Sequence, residues 1–270
     1  MLEPDDFALS SGEEPPPSDL VDHDTWRGLT VLPDDVSIRT SNHHGSDLKV
    51  QYDLWGAWID VVGAIHDSLY VAILDAADEL QAATFNALTG YYRQGFACLR
   101  SFLEQLAVGA YYQLLNDVGA YTQWRSGRVE KKFGAACDSL AHAPASRSIN
   151  HHLLAVLQDS LFNQRTPSQA GGWARRLYDE LSDYAHARPG LSSGDIWESN
   201  GPIYVEGIIT RFAAMSVQTC ALGFVLVKLG RPHQEVPRKA LGALQLPVVQ
   251  GLPIARTALE YLWPALKLAT

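Results

Sequence analysis

Between residues 54 and 229 apolar side chains return at steps of three and four, and alternating runs of β-branched residues are scarce. That spacing gathers the apolar groups on one face of a helix, whereas a strand needs every second residue. Ala and Leu dominate these stretches. The class this dictates is all-α. The periodicity and the breakers predict one or two helices over 54–88 and single helices over 91–115, 121–140, 148–162, from 168 or 172 to 186, and over 204–229. Asn116-Asp117, Pro144, Pro189-Gly190 and Gly230-Arg231-Pro232 punctuate them. One short helix is expected over 254–262, inside a segment interrupted by Pro237, Pro247, Pro253 and Pro264. With 270 residues, 47% of them hydrophobic, the chain can bury one sizeable core. The expectation is a single bundle of about five to seven helices over 48–232, with 233–270 as a Pro-interrupted appendage.

The first 47 residues look different. Pro4, Pro15, Pro16, Pro17 and Pro33 sit among Ser, Asp and Glu, apolar periodicity is absent, and the reading is a disordered acidic tail. The net charge of the chain is −9, and residues 1–50 carry 11 acidic against 3 basic residues, a net of −8. The helical body is therefore close to neutral, so net charge does not exclude an anionic partner for it.

No basic n-region followed by an apolar core opens the chain, and the three cysteines, Cys98, Cys137 and Cys220, stand far apart without a CxxC pair. Reduced, buried thiols and a cytoplasmic location are expected. The apolar run 212–227 is shorter than the roughly 20 residues a spanning helix needs, so it reads as a core helix, with no membrane partner. Phosphate-loop, HExxH and GxSxG motifs are absent. The pairs His43-His44 and His151-His152 are adjacent, and neighbouring side chains on a helix point about 100° apart, which makes poor chelators. No metal site and no cofactor are expected. Arg125, Arg128, Lys131 and Lys132 form a basic cluster read as lying on one helix, short of a nucleic-acid footprint.

Two helices carry the chemistry. Along 91–115, Arg93, Arg100 and Glu104 share one stripe of an otherwise apolar helix. Buried charges need partners or water. The stripe is thus either an ion-pair network that fixes helix register or the lining of a polar pocket. Along 173–188, Trp173, Leu177, Leu181, Tyr184 and Ala185 fall on one arc, and Tyr178, Ser182 and His186 form a column from its edge into the polar face. A helix edge is where a groove opens. His186 also suits a last helical turn, where a cation meets the C-terminal dipole. The segment DIWESNGP places Trp197 where it lines a pocket or plugs a core edge.

The run TGYYRQGFACLRSFLEQLAVGAYY, followed by LYDELSDYAHARPG and IWESNGPIYV, resembles bacterial HEPN-like helical proteins. The branch resembled has an Arg-x-x-x-Glu-like inner helix and a later Ser-x-x-x-His helix. The resemblance implies an all-α bundle, commonly a homodimer, in stress, toxin–antitoxin or phage-defence settings. It matches Arg100 and Glu104 to the inner-helix pair and Ser182 and His186 to the later motif. Active members of such families are metal-independent ribonucleases with an Arg four to six residues before the His. Here the nearest Arg before His186 is Arg176, ten positions away. The expected function is therefore a non-catalytic binding or interaction protein, with a protein partner or a second copy. The alternative is a metal-independent endoribonuclease, with RNA as partner, in which His186, Arg100 and Glu104 act on the substrate while Arg93, Ser182, Tyr178 and Trp197 bind it. In the alternative, His186 moves protons and Arg93 or Arg100 holds phosphate.

Overall fold

The computed structural model describes residues 22–62, 67–162, 172–186 and 202–269. Among them are eleven α-helices and no strand. In chain order these are α1 His23–Val61, α2 Ser68–Leu88, α3 Tyr92–Leu114, α4 Val118–Arg125, α5 Phe133–Leu140, α6 Pro144–Leu157, α7 Gly172–Ala185, α8 Glu206–Gly230, α9 Arg238–Leu244, α10 Pro247–Gln250 and α11 Pro253–Leu262. A 3₁₀ segment, Pro264–Ala269, closes the chain.

The all-α class holds, and the count of five to seven does not. The helix expected over 121–140 is two, α4 and α5, with a turn between them. Pro144, read as a stop signal, stands in the first turn of α6, and Pro247 and Pro253 do the same for α10 and α11. Proline fits there because its missing N–H has no helical acceptor to lose. The C-terminal prolines therefore start helices where they were expected to interrupt the chain.

The largest correction concerns the acidic tail. Residues 1–21 lie outside the described residues, but from residue 23 the chain is helical. The Asp22 carboxylate caps α1 by accepting from the Thr25 amide at 2.9 Å. The buried positions in this half are Val36, Thr40 and His44, at 9%, 0% and 8% exposure. They stand four residues apart, as a helix requires, but two of the three are polar. An apolar periodicity search passes over such a face. Pro33 lies inside α1, and helical geometry breaks at His44, with φ −125° and ψ 25°.

The core is built on α3, which runs beside α2 and faces α8. The α2–α3 connection turns at Gly90, with φ +83°, where a Cβ would sit 2.4 Å from the Ile203 carbonyl oxygen. Further along, a Cβ on Gly109 would come within 2.5 Å of the Ala72 Cβ, so the α3 backbone lies directly against the Ala72 methyl there. At the centre, the Trp58 ring meets Phe102 at 4.9 Å and Phe224 at 5.0 Å, and its indole N–H donates to the Ile73 carbonyl at 3.1 Å. Burying each such ring contributes about 1.5–3 kcal/mol. Helix α8 is long and apolar enough to cross a membrane by length and composition, and 83% of its most apolar window is buried in the bundle. The C-terminal segment joins the same core through Leu244, Leu259 and Trp263. The three cysteines are unpaired, Cys137 and Cys220 buried and Cys98 half-buried.

Candidate functional site

Helices α3 and α7 run antiparallel, and their contacts fix where each expected site residue lies. At one end Arg93 Nε donates to the Ala185 carbonyl, in the last turn of α7, at 2.8 Å. One turn further along α3, the Phe96 and Tyr184 rings stack at 4.4 Å. Further again, the Arg100 guanidinium lies over the Tyr178 ring, 4.9 Å from its centroid, and the Tyr178 hydroxyl donates to Glu104 Oε2 at 3.3 Å. Phe133 of α5 stacks on Tyr178 with centroids 4.0 Å apart and planes 5° from parallel.

Arg100 and Glu104, read as one stripe of α3, meet Tyr178, read as part of the column on α7. Burial, with the Glu104 charge adding and the Arg100 charge opposing, pushes the Tyr178 hydroxyl up to about 12. It is therefore a neutral donor at ordinary pH, and the cation, carboxylate and phenol form a set that joins α3 to α7, with the buried Arg100 Nε left without a hydrogen-bond partner among the described residues.

His186 stands apart from that set. It lies eight residues beyond Tyr178, about 12 Å along a helix. Its imidazole is exposed and makes no hydrogen bond to a described residue. Ser182 Oγ donates to the Tyr178 carbonyl at 2.8 Å, the back-bond of a serine on its own helix. Arg93 shares the His186 end, where its guanidinium satisfies a terminal carbonyl and suits the negative end of the helix dipole. The expected catalytic group of His186, Arg100 and Glu104 therefore does not converge: the last two lie two turns from the first. Trp197 lies outside the described residues.

The basic cluster is not on one helix either. Arg125 ends α4 and grips Asp75 with Nε and Nη2 at 2.6 and 2.7 Å. Lys131 stands in the following turn over the Tyr111 ring at 3.7 Å, and Lys132 pairs with Glu130 at 3.5 Å. Arg125 and Lys132 thus have carboxylate partners and Lys131 an aromatic one, while Arg128 is exposed.

Sequence reasoning passed over the residues around the break in α1. A cleft of about 680 Å³ opens between this helix and residues 202–204, lined by Asp35, Arg39, Asn42 and His43 on one side and Tyr204 on the other. The Arg39 guanidinium lies 5.8 Å from the Tyr204 ring centroid, and the His43 ring lies 5.6 Å from it. Beneath, His44 Nδ1 is 3.1 Å from Asp47 Oδ2 and His44 Nε2 is 3.4 Å from the Tyr204 hydroxyl. A carboxylate accepts, so with a neutral imidazole the proton sits on Nδ1, and Nε2 is left to accept from Tyr204. Asp47 also lines a second cavity, of about 320 Å³, against α8 and α10. The readable signal was the four-residue spacing of Val36, Thr40 and His44, hidden by its polar members.

Among the described residues no three His, Cys, Asp or Glu side chains gather as a metal-ligand set. No family model, curated protein or solved structure matches the chain.

Proposed function

We propose that the chain is a non-catalytic helical binding protein of the HEPN-like kind, acting as a homodimer in a stress, toxin–antitoxin or phage-defence setting. The observation that carries this reading is the separation of His186 from the Arg100–Tyr178–Glu104 set, together with the use of Arg93, the cation at the His186 end, to hold the Ala185 carbonyl. A phosphodiester-cleaving site needs its acid–base group and its phosphate-holding cation on one substrate, within about 3 Å of the reacting atoms. Here Arg100 and Glu104 engage a tyrosine, while two cavities among the described residues lie along α1, on Tyr204 and Asp47. Large apolar side chains left exposed on α1 and α2, Leu29 at 65%, Tyr52 at 67% and Phe85 at 63%, suit a protein partner or a second copy.

The test incubates the purified chain and its His186→Ala and Arg100→Ala variants with total RNA, and measures molar mass by light scattering. A binding protein leaves the RNA whole in all three samples and scatters as a dimer. Cleavage by the wild type that either substitution abolishes overturns the reading in favour of a ribonuclease.

A further inference from the structure

The cavity bounded by α1, α8 and α10 has a chemistry of its own. Its walls are Val50, Ala213, Ala214, Val217 and Leu252, and its polar contributions come from Asp47 and Thr210. Asp47 is the one charged residue among the lining. Its Oδ2 accepts from His44, and Oδ1 makes no hydrogen bond to a described residue. The Thr210 hydroxyl spends its proton on the Glu206 carbonyl at 2.9 Å, so toward the cavity it offers lone pairs. Both polar groups are thus acceptors set in an apolar wall. No lysine or arginine lines the space, and the basic side chain on the carboxylate, His44, sits on Oδ2. An occupant that matches must bring donors and positive charge at one end and hydrocarbon at the other. At about 320 Å³ the cavity stands at the small end of ligand sites, which run from about 300 to 1,000 Å³.

We propose that this cavity is a binding site for a small organic amine, its ammonium on Asp47 and Thr210 and its apolar body against Val50, Ala213, Val217 and Leu252. An ammonium supplies three donors and a full charge where an alcohol supplies one donor and none, and a carboxylate is repelled by Asp47. The occupied carboxylate also holds His44, and through it Tyr204, so an amine on Asp47 reaches the wall of the neighbouring cleft. The inference rests on the binding reading above and names a ligand class for it.

Calorimetric titration of the full chain at neutral pH with phenethylamine, phenethyl alcohol and hydrocinnamate tests the charge rule on one carbon skeleton. Phenethylamine binds, the alcohol binds about tenfold more weakly, and the carboxylate shows no heat of binding. Asp47→Asn loses about tenfold in amine affinity. Ala214→Leu fills the mouth from an exposed position on α8, leaves Asp47 in place and abolishes binding with an unchanged melting temperature. Equal affinity for amine and alcohol, an amine affinity indifferent to Asp47→Asn, or no binding by any of the three probes overturns the proposal. A chain that binds no probe and still leaves RNA whole loses this site and keeps the binding reading, whereas RNA cleavage removes that reading.

Discussion

Arg231 follows α8 and is 7% exposed, yet its guanidinium is fully engaged. Nε and Nη2 reach Asp67 at 3.0 and 2.6 Å, and Nη1 reaches the Val62 carbonyl at 3.0 Å. Asp67 at the same time caps α2, accepting from the Tyr70 amide at 2.8 Å. Breaking a buried pair from one side strands the other charge, at a cost of about 3–5 kcal/mol. Asp67→Ala strands Arg231 and removes the cap, a further ~1 kcal/mol. Arg231→Met leaves Asp67 its amide donor and some access to water. Denaturant unfolding is therefore expected to rank Asp67→Ala as the more damaging, and equal losses would remove the cap from the account. The same reasoning separates packing from hydrogen bonding at Tyr178. Tyr178→Phe keeps the ring on Phe133 and under Arg100 and loses one long hydrogen bond, about 1 kcal/mol. Tyr178→Ala loses the ring and costs about 3–5 kcal/mol. Similar losses in the two variants would mean that the hydroxyl, and not the stack, holds α7 in register.

Helix α1 has one well-buried half and one sparsely buried half. Its second half buries Leu54, Ala57, Trp58 and Val61 in the core, whereas the half before His44 buries Val36 and Thr40. Pro33 takes one amide out of the first half, and the backbone departs from helical φ/ψ at His44 between the two. Local opening is cheaper where fewer apolar side chains are buried. Hydrogen-exchange mass spectrometry is therefore expected to show amides of residues 23–43 exchanging well before those of 50–61; matched protection would mean that α1 opens as one rod. The same contrast explains what was legible in the residues. Core helices α2, α3, α7 and α8 announce themselves because their buried stripes are apolar, and Arg100 and Glu104 could be placed on one face of α3 from helical spacing alone, whereas their meeting with Tyr178 depends on how α7 packs against α3. The first half of α1 hides because Thr40 and His44 satisfy themselves by local hydrogen bonds and then bury. The separation of His186 from Arg100 was equally hidden. It depends on the antiparallel register of α3 against α7, which Arg93 and Phe96 set through contacts about ninety residues away in sequence.

At the scale of the molecule, the core that makes this bundle possible also fixes how it responds to base. Burial raises Cys98 and Cys220 to about 12 from an ordinary value of 9.0, with Cys137 raised further. It raises Tyr178 to about 12 from 10.0, Tyr121 further, and Tyr92, Tyr112 and Tyr184 in the same direction. These groups are spread over α3, α4, α5, α7 and α8, so they report on the whole core. Below about pH 9 folded and unfolded chains hold these protons alike, and the groups contribute no pH dependence. Between about 9 and 12 the unfolded chain releases protons that the folded one keeps. Unfolding is then coupled to deprotonation, and stability falls as pH rises. Because the shifts share one cause, they are lost together when the bundle opens. An alkaline titration followed by phenolate absorbance and helical circular dichroism is expected to show the buried tyrosines ionising in step with the loss of helix. Thermal melts should also fall steadily over the same range. Full phenolate formation near pH 10 with the helical signal intact would mean that these rings reach water in the folded state, and that the core around α3 is looser than its packing implies.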